Sequence, residues 1–348
     1  MTREPDSHYS SGNEAVIGWD IGGANLKAVR LSREGLQVVQ QPFAVWQRRD
    51  ELAEALARIA AELGPAPCAA VTITAELSDA FRTKRDGITF ILDALQSALP
   101  ETELKIFGLD GKFHHPAKAY QQPMLVAAAN WLATALLVAR DLADCLLVDI
   151  GSTTTDITPI GGGKVLAEGR NDPERLVRGE LLYTGASRTP ICALVQRVPL
   201  WGGWCPVAAE LFATTQDAHL LLGHLPAEQC ASPSADGRPA TPEYALERLA
   251  RVVCADTELL SQAEVQAIAQ YIANEQIHQI AGAMTQVLSR VKVVGPVAAV
   301  GAGAFLAEAA AARLGLDYLR PATLARGAAS VAAPAVAVAL LLNEEACV

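Results

Sequence analysis

The apolar positions begin with a run at residues 15–19, give way to Asp20-Ile21-Gly22-Gly23-Ala24-Asn25, and resume at residues 26–31. Two strands joined through a glycine-bearing turn produce that pattern. A third strand is predicted over 36–45. Asp50 stands as an N-cap before amphipathic spacing that runs to Leu63, and Gly64-Pro65 stops the helix. An uninterrupted β-branched stretch at 69–74 predicts a buried strand, followed by a helix over 88–99 and a short strand at 104–107. A polar loop at 111–122 leads into a helix predicted over 123–139.

The apolar run at 145–150 then opens the pattern a second time. Asp149-Ile150-Gly151-Ser152 aligns with Asp20-Ile21-Gly22-Gly23, and both stand between apolar strands. A repeat at this long period is no solenoid, whose units are roughly 20–50 residues; it indicates two copies of one α/β domain. Strands are predicted at 155–160 and 164–166, separated by Gly161-Gly162-Gly163. An insertion at about 171–240, rich in Gly, Trp and Pro, precedes helices at 242–255 and 261–290 and a strand at 292–300. Gly301-Ala302-Gly303 opens a further helix. The domains so expected are 15–143 and 144–348.

Length agrees with two cores: 348 residues exceed the roughly 250–300 at which a single core stops growing. A hydrophobic share of 51% argues for a folded chain, and a net charge of −10 without a Lys/Arg stripe argues against a nucleic-acid partner. The apolar C-terminal run at 331–342 contains Pro334 and is shorter than the roughly 18 residues of a membrane span, so it predicts a buried helix. Seven cysteines, Cys347 among them, form no CxxC pair, which excludes a zinc ribbon and fits a reducing compartment. The first fourteen residues are polar and carry no apolar signal core. A cytoplasmic protein is expected, and self-association into a homo-oligomer is left open.

The chemistry concentrates in the turns. Each Asp-Ile-Gly turn puts a carboxylate at a strand end beside backbone N–H groups with little side-chain obstruction, so phosphate oxygens can approach and a carboxylate can hold Mg²⁺. Asp20 and Asp149 are the metal candidates. Gly22, Gly23, Asn25 and Lys27 attend the first turn, and Gly151, Ser152, Thr153 and Thr154 the second. Gly301, Ala302 and Gly303 suit close approach of a planar or sugar group at a helix start. A single such turn need only join strands; two copies plus the later Gly-Ala-Gly point to a phosphate site.

Glu76 follows the 69–74 strand at the edge where open α/β sheets bind ligands, as a general base or as a capping acid. Arg188, in the polar segment 179–190, meets a phosphate or carboxylate, or a surface ion pair. The Trp201-to-Cys205 patch reads as cover for a core edge rather than a stacking site. His219 and His224, five apart, splay on a helix, and His114-His115 are adjacent, so neither pair suits a metal.

With these segments in hand, the chain resembles the actin-like ATPase superfamily. It is more closely similar to the hydantoinase/oxoprolinase-related group tied to tetrahydromethanopterin-linked one-carbon metabolism. Asn130-Trp131 and residues 210–214 and 235–238 extend the likeness. The resemblance implies an α/β fold of two RNase H-like domains of the actin, Hsp70 and sugar-kinase type, with mixed sheets and a ligand cleft between them. The group includes a synthase of methanofuran biosynthesis that joins a furan-methyl diphosphate to a phenolic oxygen and releases diphosphate. What the resemblance implies is therefore a transferase for a small-molecule diphosphate and a phenolic acceptor. Asp20 and Asp149 would hold Mg²⁺, Lys27 and Ser152 to Thr154 the diphosphate, and Glu76 would take the phenolic proton. Asn130, Glu180 and Arg188 would meet substrate. The alternatives are an ATP-dependent kinase or amide hydrolase, for which Gly301 to Gly303 would face adenosine, and a non-catalytic nucleotide-binding module.

Overall fold

The computed structural model describes residues 15–230, 233–292, 295–325 and 327–345; the polar first fourteen residues and Cys347 lie outside them. In chain order the principal elements begin with β1 (Val16–Gly22), β2 (Asn25–Ser32), β3 (Gly35–Pro42), α1 (Leu52–Leu63), β4 (Cys68–Thr74), α2 (Lys84–Ala98), β5 (Glu103–Phe107) and β6 (Phe113–His114). Next come α3 (Asn130–Asp141), β7 (Cys145–Ile150), β8 (Thr155–Gly161), β9 (Lys164–Val165), α4 (Asp172–Arg178) and β10 (Leu181–Leu182). The chain continues through β11 (Arg197–Leu200), β12 (Gly203–Pro206), α5 (Thr215–Leu221), α6 (Pro242–Arg251) and α7 (Gln262–Leu288). It closes with β13 (Val297–Val300), α8 (Ala304–Arg313), β14 (Tyr318–Leu319) and α9 (Ala333–Glu345).

Two compact units emerge. One comprises the described residues up to Asp144, residues 160–174 and the described residues from Pro321; the other comprises Cys145–Pro159 and Arg175–Arg320. The C-terminal residues, expected with the second half, therefore belong to the first unit.

The first unit's sheet runs β3-β2-β1-β4-β5-β6. The motif strand β1 pairs antiparallel with β2 and parallel with β4. The second unit repeats the plan as β10-β8-β7-β13-β14, with β7 parallel to β13. This repeated mixed order agrees with the two copies of one α/β domain expected from the repeated Asp-Ile-Gly turns and with the RNase H-like type that the resemblance implies. Parallel pairing explains why 69–74 and 145–150 read as unbroken apolar runs, since both faces of such strands are covered.

Helix α9 covers one face of the first sheet, and Ala333 to Asn343 are buried. Pro334 does not break it: it stands in the first turn, where a missing N–H has no helical partner to lose. The helix lies so close to β1 that a Cβ added at Gly18 would stand 2.0 Å from the Ala335 carbonyl oxygen and 2.8 Å from the Ala339 Cβ. No helix of the described residues is long and apolar enough to cross a membrane.

Three further expectations shift. Asp50 does not cap α1; it sits in a 3-10 turn at Arg49–Glu51, and α1 starts at Leu52. The helix predicted over 123–139 is a turn at Pro123–Val126 and then α3, because Ala127 pairs with Ile73 at the end of β4. The predicted insertion builds a small core of its own, in which Ile191, Val198 and Ala218 pack with Leu249, Ile268 and Ile272.

Substitution of Gly18 by Ala tests the seating of α9. Overpacking costs about 1–3 kcal/mol, so the thermal midpoint is expected to fall; an unchanged midpoint would show that α9 is not held against β1.

Candidate active site

The predicted residues fall into two groups, one in each unit. In the first, β1 ends at the C-terminal edge of the sheet, and its parallel register with β4 sets Asp20 opposite Thr72 and Gly22 opposite Thr74. The β1-β2 pairing sets Asp20 opposite Lys27, whose ammonium lies 3.5 Å from the carboxylate. Thr74 Oγ1 stands 3.3 Å from the other Asp20 oxygen. Gly22 is required by space, since a Cβ there would meet the Asn25 carbonyl oxygen at 2.7 Å, whereas one at Gly23 would meet nothing. Asn25 is 7% exposed, and its side-chain oxygen has no hydrogen-bond partner.

Glu76 stands just past β4 and is 2% exposed. Lys84, the first residue of α2, places its ammonium 3.3 Å from Glu76 Oε1 and 2.5 Å from Asp172. The second oxygen, Oε2, is buried without a hydrogen-bond partner. Burial pushes the Glu76 carboxyl above the ordinary carboxylate range, against the offsetting pull of Lys84. The next turn of α2 presses on the same residue, because a Cβ at Gly87 would lie 2.5 Å from the Glu76 carbonyl oxygen. Beside β4, the Ala128 N–H donates to the Ile73 carbonyl, and Ala128 holds a left-handed backbone with φ of 49° before Asn130 opens α3. Such a conformation costs a non-glycine residue roughly 1–3 kcal/mol and gathers at functional sites.

In the second unit, β7 delivers Asp149 and Ile150 to the turn Gly151–Thr154, which closes with the Gly151 N–H donating to the Thr154 carbonyl. The segment 184–189 lies on this turn: the N–H groups of Ser187 and Arg188 donate to the Ser152 carbonyl. A Cβ on Gly185 would stand 2.6 Å from the Ser152 carbonyl and the Thr153 nitrogen. Arg188 Nη1 reaches Thr153 Oγ1 at 3.4 Å, and burial lowers the pKa of its guanidinium. Gly301, at φ of 87°, and Gly303 pack on the same strand end; a Cβ on Gly301 would lie 2.6 Å from an Asp149 carboxylate oxygen. Thus Ser152 to Thr154, Arg188 and the backbone at Gly301 and Gly303 form one cluster of donors and close-packed backbone suited to an anion, beside the Asp149 carboxylate.

Two expectations are corrected. Glu180, expected to meet substrate, is fully buried and ion-paired with Arg290, a bracing position beside β10. His219 and His224 do not splay: α5 ends at Leu221, Gly223 reverses the chain at φ of 72°, and the two Nδ1 atoms meet at 3.2 Å. No cluster of three or more metal-ligating side chains occurs among the described residues. The tryptophan patch forms the β11-β12 hairpin; Trp201 and Trp204 are exposed, Trp201 bonding Glu264 and Trp204 meeting the edge of Tyr271.

Sequence reading missed Lys84, Asp172, Gly87 and Gln276. Lys84 stands only eight residues beyond Glu76, but Asp172 arrives from a distant segment. Gln276 carried a signal: it falls on the buried face of α7 with Ile272 and Ile280. It donates to Thr184 Oγ1 and the Gly185 carbonyl and accepts from His219, whose pKa burial lowers to about 4. This network backs the segment that covers the Ser152 turn.

The raised Glu76 carboxyl sets a pH dependence. In the folded state it keeps a proton that the unfolded chain releases near pH 4.3, at about its ordinary value. Stability therefore falls as pH rises through the raised value and levels off above it. Glu76→Gln has no such proton to lose, so its thermal midpoint is expected to match wild type near pH 4 and exceed it near pH 8. A difference independent of pH would contradict the assignment.

The Hydantoinase/oxoprolinase family model matches residues 68–345. A curated relative from Methanocaldococcus jannaschii, (4-{4-[2-(gamma-L-glutamylamino)ethyl]phenoxymethyl}furan-2-yl)methanamine synthase, is 35% identical over 76% of this chain and 79% of its own length. The synthase of the same name from Methanococcus vannielii is 40% identical over 35% of this chain and 54% of its own. Among solved structures, nucleotide-free acetone carboxylase, an enzyme of ATP-dependent acetone carboxylation, is similar in fold: TM-score 0.59, 11% identity, 94% of this chain and 70% of that one. The repeated sheets, the family match and the extended identity lead to one conclusion: the chain belongs to the hydantoinase/oxoprolinase family, alongside these methanamine synthases.

Proposed function

We propose that this chain is the corresponding synthase of methanofuran-type cofactor formation. It is an alkyl transferase that condenses an aminomethylfuran-methyl diphosphate with the phenolic oxygen of a tyramine- or tyrosine-containing acceptor and releases diphosphate. The relatives' product name describes a phenoxymethyl-furan ether, the bond this reaction makes. The observation that carries the reading is Glu76 Oε2, a buried carboxylate oxygen without a partner at the ligand-binding edge of β4. A phenolic O–H supplies the partner it lacks.

In the reaction the bond from the furan methylene to the diphosphate oxygen breaks and the phenolic oxygen bonds to that carbon. The phenolic proton passes to Glu76. The furan ring shares positive charge at its methylene, so the diphosphate departs early. Lys27, Arg188 and the Ser152 to Thr154 hydroxyls take up its negative charge. The turns fit a metal diphosphate: Asp20 and Asp149 are strand-end carboxylates, and only glycine fits at Gly22 and Gly301. Either carboxylate, if it held Mg²⁺, would supply further neutralisation of the leaving group. Asn130, beside the strained Ala128, is a candidate substrate contact.

A second reading keeps ATP as ligand. The bare backbone at Gly301 to Gly303 against Asp149 equally suits the adenosine side of a nucleotide, and the product would then be ADP.

Purified protein with Mg²⁺, the furan donor and tyramine, tyrosine or γ-glutamyltyramine is expected to release diphosphate only when donor and acceptor are both present. ADP from ATP would favour the second reading. Glu76→Gln is expected to lower kcat by at least about 100-fold, the lower end for general-base catalysis. Its binding of the donor should remain. An undiminished kcat would remove Glu76 from the chemistry.

A further inference from the structure

We infer that Lys84 and Asp172 are the positioning pair of Glu76: Lys84 fixes Oε1, supplies the positive charge that favours the ionised carboxylate, and leaves Oε2 as the proton-accepting atom. This rests on the reading of Glu76 as the general base.

Lys84 breaks a local rule. It is the first residue of a 15-residue helix, where the positive end of the helix dipole disfavours a cation. The helix has an ordinary start otherwise, with Thr83 Oγ1 accepting from the Asp86 N–H at 3.1 Å. A lysine placed there needs anions, and two converge on it: Glu76 at 3.3 Å and Asp172 at 2.5 Å. A local rule broken with such specific compensation marks a functional constraint. The helix also supplies the rest of a clamp. Lys84 and Gly87, three residues apart, lie on one helix face, so the side chain of one and the bare backbone of the other both bear on Glu76.

The charges are arranged for an ionised base. Burial opposes the Lys84 ammonium, but its hydrogen bond to Asp172 and the charge of Glu76 prevail and keep it protonated. Asp172 is 21% exposed and Lys84 24%, against 2% for Glu76, so the compensating pair stands nearer solvent than the base it serves. Asp20 and Lys27, on the neighbouring strands, pair with each other. With Lys84 in place, the rise that burial imposes on the Glu76 carboxyl is offset in part, which favours the ionised form that accepts a proton. Without it, burial alone favours the protonated acid, which cannot act as a base.

The test is the pH profile of kcat/KM for diphosphate release from furan donor and phenolic acceptor. Lys84→Met is expected to move the acid limb up by about 1–3 pH units, the effect of an opposite charge at this distance. Activity should return at high pH, and Lys84→Arg should keep the limb near wild type. The double variant Glu76→Gln/Lys84→Met should be no slower than Glu76→Gln alone, because Lys84 acts through Glu76. Asp172→Asn provides a second handle should Lys84→Met fail to fold: removing that negative charge is expected to move the limb down. A Lys84→Met profile that superimposes on wild type, losses that multiply in the double variant, or an upward shift in Asp172→Asn would overturn the inference. Full activity of Glu76→Gln would instead overturn the base itself.

Discussion

A carboxylate taken out of water is costly unless a cation reaches it, and the edge of the first sheet is arranged around that constraint at Glu76. The parallel pairing of β1 and β4 ends the strand where Glu76 must stand, and Gly87 lets α2 press on its backbone. Lys84 then meets one oxygen and leaves the other unpartnered. Were Glu76 simply structural, both oxygens would be expected to find donors, as buried polar groups do. The unpaired atom is what turns a buried ion pair into a candidate base. The left-handed Ala128 beside the same strand adds a second departure from relaxed structure, again at the candidate site.

The second unit presents a different arrangement, backbone and hydroxyl groups gathered at the end of β7. Its basis is steric: glycine at 185, 301 and 303 allows three segments to meet at the end of β7, where any Cβ would collide. Arg188 brings a half-buried cation to that turn, and Gln276 with His219 holds the covering segment from behind. His219 stays neutral because burial lowers its pKa to about 4, so the brace keeps its charge state at neutral pH. On sheets of the same plan, the first unit thus carries a buried carboxylate with one unpartnered oxygen and the second a cluster of hydroxyl, guanidinium and backbone groups.

Much of this was legible in the sequence because it was written locally. The Asp-Ile-Gly repeat announced two like sheets, since both copies sit between apolar strands, and the strand at 145–150 was read to its ends for the same reason. Asp20, Asp149, Gly301 and Glu76 stand out in the sequence because the first two lie near the ends of buried strands and the other two just past them. What escaped reading depends on contacts across long separations. Asp172 meets Lys84 from 88 residues away. Glu180 reads as a polar loop residue, but Arg290, 110 residues on, pairs with it in the fold. The break at Ala127 has no Gly or Pro to announce it, because tertiary pairing with Ile73 imposes it. His219 and His224 were misjudged by assuming that the helix continued through Gly223.

The account turns on Glu76 accepting the phenolic proton, and acceptor acidity tests that most directly. The rates of wild type and Glu76→Gln would be measured on ring-fluorinated tyramines of progressively lower phenol pKa, at one pH and saturating furan donor. If Glu76 is the base, Glu76→Gln should recover as the acceptor becomes acidic enough to ionise unaided, and its rate should approach that of wild type. Parallel responses of the two enzymes across the series would contradict that role.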